Sequence, residues 1–176
     1  LAFSAMPHME SAKEVVPLIN QGVKVVDISA DFRLTSAADY PEWYDFTHPA
    51  PELLGDAVYG LPELYRERIQ KTALVANPGC FPTSAILALA PAVKAGLITG
   101  EIIVDSKSGV SGAGRSLSLK SHFAEASDDV QAYALEGHRH LPEIFQQLAL
   151  VEPGFQPRVT FVPHLIPMAR GILSTS

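Results

Sequence analysis

The sequence has little of what several classes of protein require. Cysteine occurs once in 176 residues, at Cys80, so no internal disulfide can form, which fits a reducing compartment. Basic residues number 13 against 19 acidic ones, giving a net charge of −6 and a pI near 5.4. Proteins that bind nucleic acids usually present a basic face, so this balance argues against a nucleic-acid partner.

Long apolar runs are also missing. None reaches the roughly 18 residues of a membrane-spanning helix, and the opening residues, LAFSAMPHMES, lack the basic region of a signal peptide. We therefore expect a cytoplasmic protein with no membrane partner. The chain is 47% hydrophobic and 18% charged, which is enough for a folded core. It starts with Leu1 in an apolar run and ends in the apolar RGILSTS, so we expect an internal fragment.

The first half of the chain predicts part of a doubly wound α/β sheet. LAFSAMP predicts a strand, HMESAKEVVPLINQG a helix and VKVVDIS a second, buried strand. Strand, helix and strand within about thirty residues form a βαβ unit, which belongs to a parallel sheet. Residues 30–70 predict an ordered loop with short helices that aromatic side chains hold by burial. TALVA then predicts another strand.

The second half predicts an α+β arrangement with strands that pair locally. A helix is expected after Cys80, because Pro82 suits a first turn and apolar residues follow at helical spacing. Pro91 predicts a kink or break in that helix. EIIVDSKSG predicts a strand, VQAYALEGHRHLPEIFQQLAL a strand and then a helix from near Pro142, and RVTFVPHLIPMARGILSTS two strands.

Cys80 stands in VANPGCFPTSAILALAP, where a strand meets this helix. The start of a helix lowers the pKa of a thiol, and the thiolate is the nucleophilic form. Gly79 permits a tight turn and the close approach of a substrate. A small buried filler is the competing interpretation, because cysteine is among the residues most often buried.

Two histidines could supply a base for such a thiol. His138 and His140 in EGHRHLPEI lie two positions apart, so both point to one face if the segment is extended. Histidine titrates near neutral pH and is a frequent partner of a nucleophilic cysteine. A metal pair is the alternative, but the other histidines are scattered and no cysteine cluster exists, so the ligand count disfavours it.

The segment SKSGVSGAGR could bind an anion. Its glycines follow the order GxxGxG and not GxGxxG, and no clear helix follows, so a dinucleotide fingerprint is weakly supported. Its backbone N–H groups and Arg115 could still pair with a phosphate or carboxylate, and a flexible surface turn is the alternative. Arg170 in PMARGIL could reach an anion or stay exposed at a strand edge.

Six segments in this order resemble the N-acetyl-gamma-glutamyl-phosphate reductases of arginine biosynthesis: DISADFRL, YGLPEL, NPGCFPT, SGVSGAGR, HRHLPEI and FVPHLIPMARGIL. The resemblance covers nearly the whole chain, and the combination of motifs is specific. One residue departs from the pattern, because Ser84 stands where alanine or glycine is expected.

The resemblance implies a fold similar to aspartate-semialdehyde dehydrogenase and glyceraldehyde-3-phosphate dehydrogenase. Residues 1–79 would be the later part of a Rossmann-like NADP-binding domain, whose glycine-rich phosphate turn would lie upstream. Residues 80–176 would be a truncated catalytic and substrate domain with a mainly antiparallel sheet. Family members are commonly dimers or tetramers, so a homo-oligomer is expected, and the chain alone is not necessarily active.

The implied reaction is the NADPH-dependent reduction of an acyl phosphate, N-acetyl-L-glutamyl 5-phosphate, to the 5-semialdehyde. Thiolate Cys80 would attack the carbonyl, expel phosphate and leave a thioester for reduction. His138 or His140 would be the base, and no metal is implied. The expected substrate- or phosphate-binding residues are Arg115, Ser111, Gly112 and Arg170, and the expected cofactor-binding residues are Gly109, Ser108 and Ser4.

Three other functions stay open at this stage. A sister reductase of lysine biosynthesis through aminoadipate would share the core motifs and differ in its acyl phosphate. A Cys–His hydrolase would use water and would need no nicotinamide cofactor. A non-catalytic fragment would serve only in dimerisation or substrate binding.

Overall fold

The computed structural model describes all 176 residues, Leu1–Ser176. The chain divides into two compact units, Leu1–Gly79 and Cys80–Ser176. None of its helices has both the length and the apolar character needed to cross a membrane.

The first unit contains a four-stranded parallel sheet. Its strands are β1 (Ala2–Ser4), β2 (Val25–Asp27), β3 (Val58–Tyr59) and β4 (Leu74–Ala76), in the spatial order β1-β2-β4-β3. All three pairings are parallel, and helix α1 (Glu10–Asn20) joins β1 to β2. The βαβ unit expected from the sequence is therefore present.

Residues between β2 and β4 form the predicted loop with short helices. They include α2 (Asp39–Tyr44), a 3-10 turn at Pro51–Leu53 and α3 (Pro62–Lys71). The Tyr40 ring is fully buried and lies 5.4 Å from the Phe46 ring, so aromatic burial fixes the segment. The sequence did not predict β3, because two residues carry no recognisable alternation.

The second unit contains a four-stranded mixed sheet. Its strands are β5 (Ile102–Gly109), β6 (Gln131–Ala132), β7 (Val159–Ile166) and β8 (Ile172–Thr175), in the order β6-β7-β5-β8. The β6–β7 and β5–β8 pairings are antiparallel, whereas β5 pairs with β7 in parallel over its whole length. The expected antiparallel character is thus present in two of the three pairings, and the longest pairing is parallel.

Two helices pack against this mixed sheet. They are α4 (Cys80–Lys94) and α6 (Leu141–Val151), and the short α5 (Phe123–Ala126) lies between them in sequence. The core combines their apolar faces with the sheet: Phe81, Ala85, Leu89, Val93, Ile102, Val104, Ile144, Leu148 and Phe161 are all buried. Helix α4 continues through Pro91 without the predicted break.

The segment with the two histidines differs from the sequence prediction. The predicted strand is only Gln131–Ala132, and His138 to His140 form a turn instead of an extended run. The turn closes with a hydrogen bond from the Leu141 N–H to the His138 carbonyl at 2.8 Å. Pro142 in the first turn of α6 favours helical backbone, and His140 already has helical φ and ψ of −86° and −10°.

Candidate active site

Cys80 is the first residue of α4, directly after the turn Asn77-Pro78-Gly79. Its side chain is exposed, so the interpretation of Cys80 as a buried filler is wrong. The first turn of α4 contains no acidic residue, and the positive end of the helix dipole therefore remains available to a thiolate. The chain therefore places its one thiol at a helix start, where a substrate can reach it.

The two histidines lie beside the residue that follows Cys80. The buried Phe81 ring has its centroid 5.6 Å from that of His138 and 6.0 Å from that of His140. The two imidazoles are themselves 4.8 Å apart. Phe161 of β7 lies 5.4 Å from both Phe81 and His138. The structure thus brings both predicted histidines together, through a turn and an aromatic cluster.

His138 is neutral and has a defined proton position. The backbone N–H of His140 donates to its Nδ1 at 3.0 Å, and a neutral imidazole whose Nδ1 accepts carries its proton on Nε2. Burial, helped by the charge of Arg139, lowers the pKa of His138 from 6.5 to about 4. At neutral pH this ring can donate a hydrogen bond from Nε2, while its accepting nitrogen is already engaged.

Tyr133 belongs to the same cluster, although the sequence did not single it out. Its ring centroid lies 5.7 Å from that of His138. Burial and, secondly, the charge of Cys80 raise the pKa of Tyr133 to about 12, so the phenol stays protonated and interacts electrostatically with the thiolate. Nothing in QAYAL marks the tyrosine, because its proximity to Cys80 arises from the fold.

Glu143 is a second residue that the sequence did not single out. It lies in the first turn of α6, and its side chain is 0% exposed. Its Oε1 is 3.9 Å from Nε2 of His140. The i, i+3 spacing in HRHLPEI was the available signal, since residues three apart share a helix face.

The glycine-rich loop packs against the segment that carries Arg170. The Gly109 N–H donates to the Gly171 carbonyl at 2.9 Å, and the Ser111 N–H donates to the Ala169 carbonyl at 3.1 Å. A Cβ atom at Gly109 would lie 2.8 Å from the Arg170 nitrogen, which is closer than real contacts allow. Glycine is therefore required at 109 by backbone packing.

The remaining residues expected in this loop differ in accessibility. Ser108 is buried, and its hydroxyl donates to the Gly109 carbonyl at 3.1 Å, so the hydroxyl is not presented to a ligand. A Cβ atom at Gly112 would lie 2.5 Å from the Ser108 hydroxyl, so a side chain at 112 would require that hydroxyl to move. Ser111 and Arg115 are exposed and line a groove of about 720 Å³ with residues 114–119 and 121–123.

Ser4 ends β1 of the first unit, at the carboxyl edge of the parallel sheet, where such sheets bind ligands. Its hydroxyl lies 2.6 Å from that of Ser11, which donates to a buried carboxylate oxygen of Asp27 at 2.5 Å. Because the single proton of Ser11 goes to Asp27, Ser4 must donate to Ser11. The outward side of Ser4 can therefore only accept a hydrogen bond.

No group of three or more histidine, cysteine, aspartate or glutamate side chains is arranged to hold a metal ion. The positioned groups are instead a thiol, two imidazoles, a phenol and a buried carboxylate. Together they suit nucleophilic chemistry with proton transfer.

Comparison with known families gives two matches that together span most of the chain. Residues 80–176 match the family described as semialdehyde dehydrogenase, dimerisation domain. Residues 1–72 match the family described as semialdehyde dehydrogenase, NAD binding domain.

Curated relatives share one name. An N-acetyl-gamma-glutamyl-phosphate reductase of Dehalococcoides mccartyi is 59% identical over 176 residues, which is 100% of this chain and 52% of that protein. A protein of the same name from Psychrobacter arcticus is 50% identical over 182 residues, covering 99% of this chain and 51% of that protein. The chain spans about half the length of the curated relatives it matches.

Solved structures show a similar fold at low identity. Aspartate semialdehyde dehydrogenase II from Vibrio cholerae has a TM-score of 0.64 at 16% identity, covering 98% of this chain and 53% of that one. Aspartate semialdehyde dehydrogenase with NADP from Candida albicans has a TM-score of 0.58 at 13% identity, covering 98% and 48%. These likenesses concern the fold alone.

Proposed function

The chain belongs to the semialdehyde dehydrogenase family, and from this premise we propose that it forms part of an NADP-dependent acyl-phosphate reductase. The reaction is the reduction of N-acetyl-L-glutamyl 5-phosphate to N-acetyl-L-glutamate 5-semialdehyde and phosphate, a step of arginine biosynthesis. The observation that carries the proposal is the exposed Cys80 thiol at the start of α4, with a histidine pair packed on the next residue. The names of relatives at 50–59% identity support the choice of substrate.

The thiolate of Cys80 begins the reaction as a nucleophile. Its sulfur bonds to the acyl carbon, the bond from that carbon to the phosphate oxygen breaks, and a thioester remains on Cys80. NADPH, when bound, supplies the hydride that reduces this thioester. The carbon–sulfur bond of the resulting thiohemiacetal then breaks, which releases the aldehyde and restores the Cys80 thiolate.

His138 is suited to stabilise the oxygen that becomes negative in these steps. A neutral Nε2–H group can donate to a developing oxyanion, and burial keeps the ring neutral. The backbone N–H groups of the first turn of α4 could donate to the same oxygen. The phenol of Tyr133 stays protonated near the thiolate and can serve as a further donor.

The anionic parts of the substrate would contact the loop that follows β5. Arg115 and Ser111 line the groove described above, and Arg170 lies on the segment that packs against the backbone of Gly109. We assign the phosphate to Arg115 with Ser111 and Gly112, and the substrate carboxylate to Arg170. The assignment rests on charge and exposure.

The cofactor would contact the first unit through Ser4. A hydroxyl that can only accept fits a ribose hydroxyl or a carboxamide N–H better than a phosphate oxygen. The N–H of the expected residue Gly109 already donates to the Gly171 carbonyl, and the Ser108 hydroxyl is buried, so neither offers a free donor to a cofactor. The similarity to a dimerisation domain supports a homo-oligomer, a dimer or tetramer, and a cytoplasmic location fits the biosynthetic role.

The test uses the enzyme at the full length of its curated relatives and runs the reaction backwards. N-acetyl-L-glutamate 5-semialdehyde, phosphate and NADP⁺ are mixed, and NADPH is followed by its absorbance. We expect turnover that falls at least about 10⁴-fold in Cys80→Ala, while the exposed control Glu136→Gln keeps the original rate.

Two results would contradict the proposal. Turnover only with the aminoadipate-type semialdehyde would move the enzyme to lysine biosynthesis. Repeated turnover that releases phosphate from the acyl phosphate without NADPH would favour a Cys–His hydrolase, because the proposed thioester accounts for only one phosphate per Cys80. Assaying this chain alone beside the longer enzyme tests whether it is active by itself.

A further inference from the structure

Glu143 is a charged residue in the core of the second unit. Its side chain is 0% exposed, and the next residue, Ile144, and Leu148 one turn later are core residues. Burying a carboxylate is unfavourable unless charged or polar partners compensate for the lost water. A carboxylate at this position therefore needs charged or polar partners nearby, and the buried Gln147 one turn later lies on the same helix face.

The carboxylate of Glu143 faces His140. The distance of 3.9 Å from Oε1 to the imidazole Nε2 exceeds a direct hydrogen bond but allows a strong electrostatic interaction in a buried site. His140 is the residue before α6, and only 9% of it is exposed. The start of α6 also favours a negative charge in its first turn, where Glu143 lies.

The neighbouring His138 has the opposite surroundings. Its Nδ1 accepts from a backbone N–H, and the charge of Arg139 acts together with burial to lower its pKa. Two imidazoles 4.8 Å apart are thus placed in different fields, one beside a carboxylate and one beside a cation. Paired titratable groups with opposed surroundings commonly divide the tasks of donor and base.

We propose that Glu143 is a positioning residue for the proton-transfer step: its buried carboxylate orients the His140 ring and stabilises its protonated form, so that His140 is the histidine that exchanges the proton. This rests on the function proposed above. The proton leaves the sulfur of Cys80, is held on His140 and then protonates the departing phosphate. Glu143 remains a carboxylate throughout, and the thiolate restored at the end regains a proton from solvent.

The experiment compares charge with shape at position 143 in the full-length enzyme. Glu143→Gln keeps the size and removes the charge, Glu143→Asp keeps the charge, and Glu136→Gln removes an exposed carboxylate nearby as the matched control. Kinetics are measured from pH 5 to 9. The titration of the His140 ring is followed by NMR on protein with ¹³C-labelled histidine, with His140→Gln identifying its signal.

We expect Glu143→Gln to lower kcat about 10- to 100-fold with KM nearly unchanged. The titration midpoint of His140 should move about one pH unit lower, and the acidic limb of the rate profile should move with it. Glu143→Asp should recover part of the rate, and Glu136→Gln should match the unaltered enzyme.

A loss of rate in Glu143→Gln with an unchanged His140 titration would overturn the proposal, since the residue would then act by packing alone. An unchanged rate and pH profile would overturn it as well. If the Gln variant does not fold, Glu143→Asp is measured in the His140→Gln background, where any further loss of rate contradicts action through His140. If the unaltered enzyme lacks reductase activity, the proposed function fails, and the His140 titration still decides this proposal.

Discussion

Helices α1 and α4, one in each unit, both follow a strand of the parallel sheet in sequence, but their first turns are occupied in opposite ways. In the first unit the buried carboxylate of Asp31 accepts from the N–H groups of Met9 and Ala12 at 2.7 Å and 2.8 Å, which neutralises the start of α1. In the second unit α4 starts with the exposed Cys80 and has no acid in its first turn. A helix start whose N–H groups donate to a carboxylate of the same chain has a structural role. A helix start that carries an exposed thiol can instead stabilise a reacting thiolate.

Removing the carboxylate from the filled helix start gives the largest expected effect on stability. Asp31→Ala leaves two backbone N–H groups without their acceptor. One of them belongs to Met9, whose φ of 72° is unusual for a residue other than glycine. We expect the free energy of unfolding of the first unit to fall by about 3 kcal/mol. Urea unfolding measures it, with the exposed Asp56→Ala as control. Equal loss in both variants would mean that Asp31 is not a cap.

Acid should affect the second unit through His138. Its pKa is about 4 in the fold and 6.5 when unfolded, so between these values the folded state binds fewer protons, and stability falls as the pH falls through that window. The ring is half-buried, so we expect a loss of about 2 kcal/mol between pH 7 and pH 4.

The variant His138→Phe isolates this contribution, because phenylalanine fits beside Phe81 and Phe161 and does not titrate. Its free energy of unfolding should depend less on pH than that of the unaltered protein, whereas the exposed His122→Gln should not change the dependence. An identical pH dependence in His138→Phe would remove His138 as the cause. His48 of the first unit contributes in the same direction in all variants, since burial lowers its pKa.

The smallest expected effect concerns how α4 is fastened to its sheet. Ser84 donates to the Phe81 carbonyl at 2.8 Å, and Ser174 links Ser84 to the buried Ser106 at 2.8 Å and 2.7 Å. Because the Ser84 hydroxyl donates its only proton to the carbonyl, Ser174 must donate to Ser84, and Ser106 must donate to Ser174.

Ser174→Ala breaks both links and leaves the Ser106 hydroxyl without this acceptor. We expect a loss of about 1 kcal/mol in unfolding free energy, with the exposed Ser116→Ala near zero. If these hydrogen bonds also hold the first turn of α4 in place, Ser174→Ala should change the rate at which Cys80 is alkylated. No difference between the two serine variants in either measurement would show that the hydroxyl chain is incidental.

Most of the fold followed from the sequence patterns. The βαβ unit, the helix that begins at Cys80 and the helix from near Pro142 were all predicted from apolar spacing and proline positions. The family predicted from six motifs is confirmed by the relatives and the domain matches. The extended geometry expected for His138 and His140 was wrong, because the two-residue spacing cannot distinguish a strand from the turn before a helix.

The sequence by itself therefore determined which residues are candidates for the chemistry: motifs and local spacing identify residue types, turns and helix starts, all of which act over a few positions. Only the tertiary structure decided how those residues are used. It placed Tyr133 near Cys80, left His138 neutral with its proton on Nε2, and buried Glu143 beside His140. Protonation and orientation depend on burial and on charges brought together from distant positions, which no local pattern encodes.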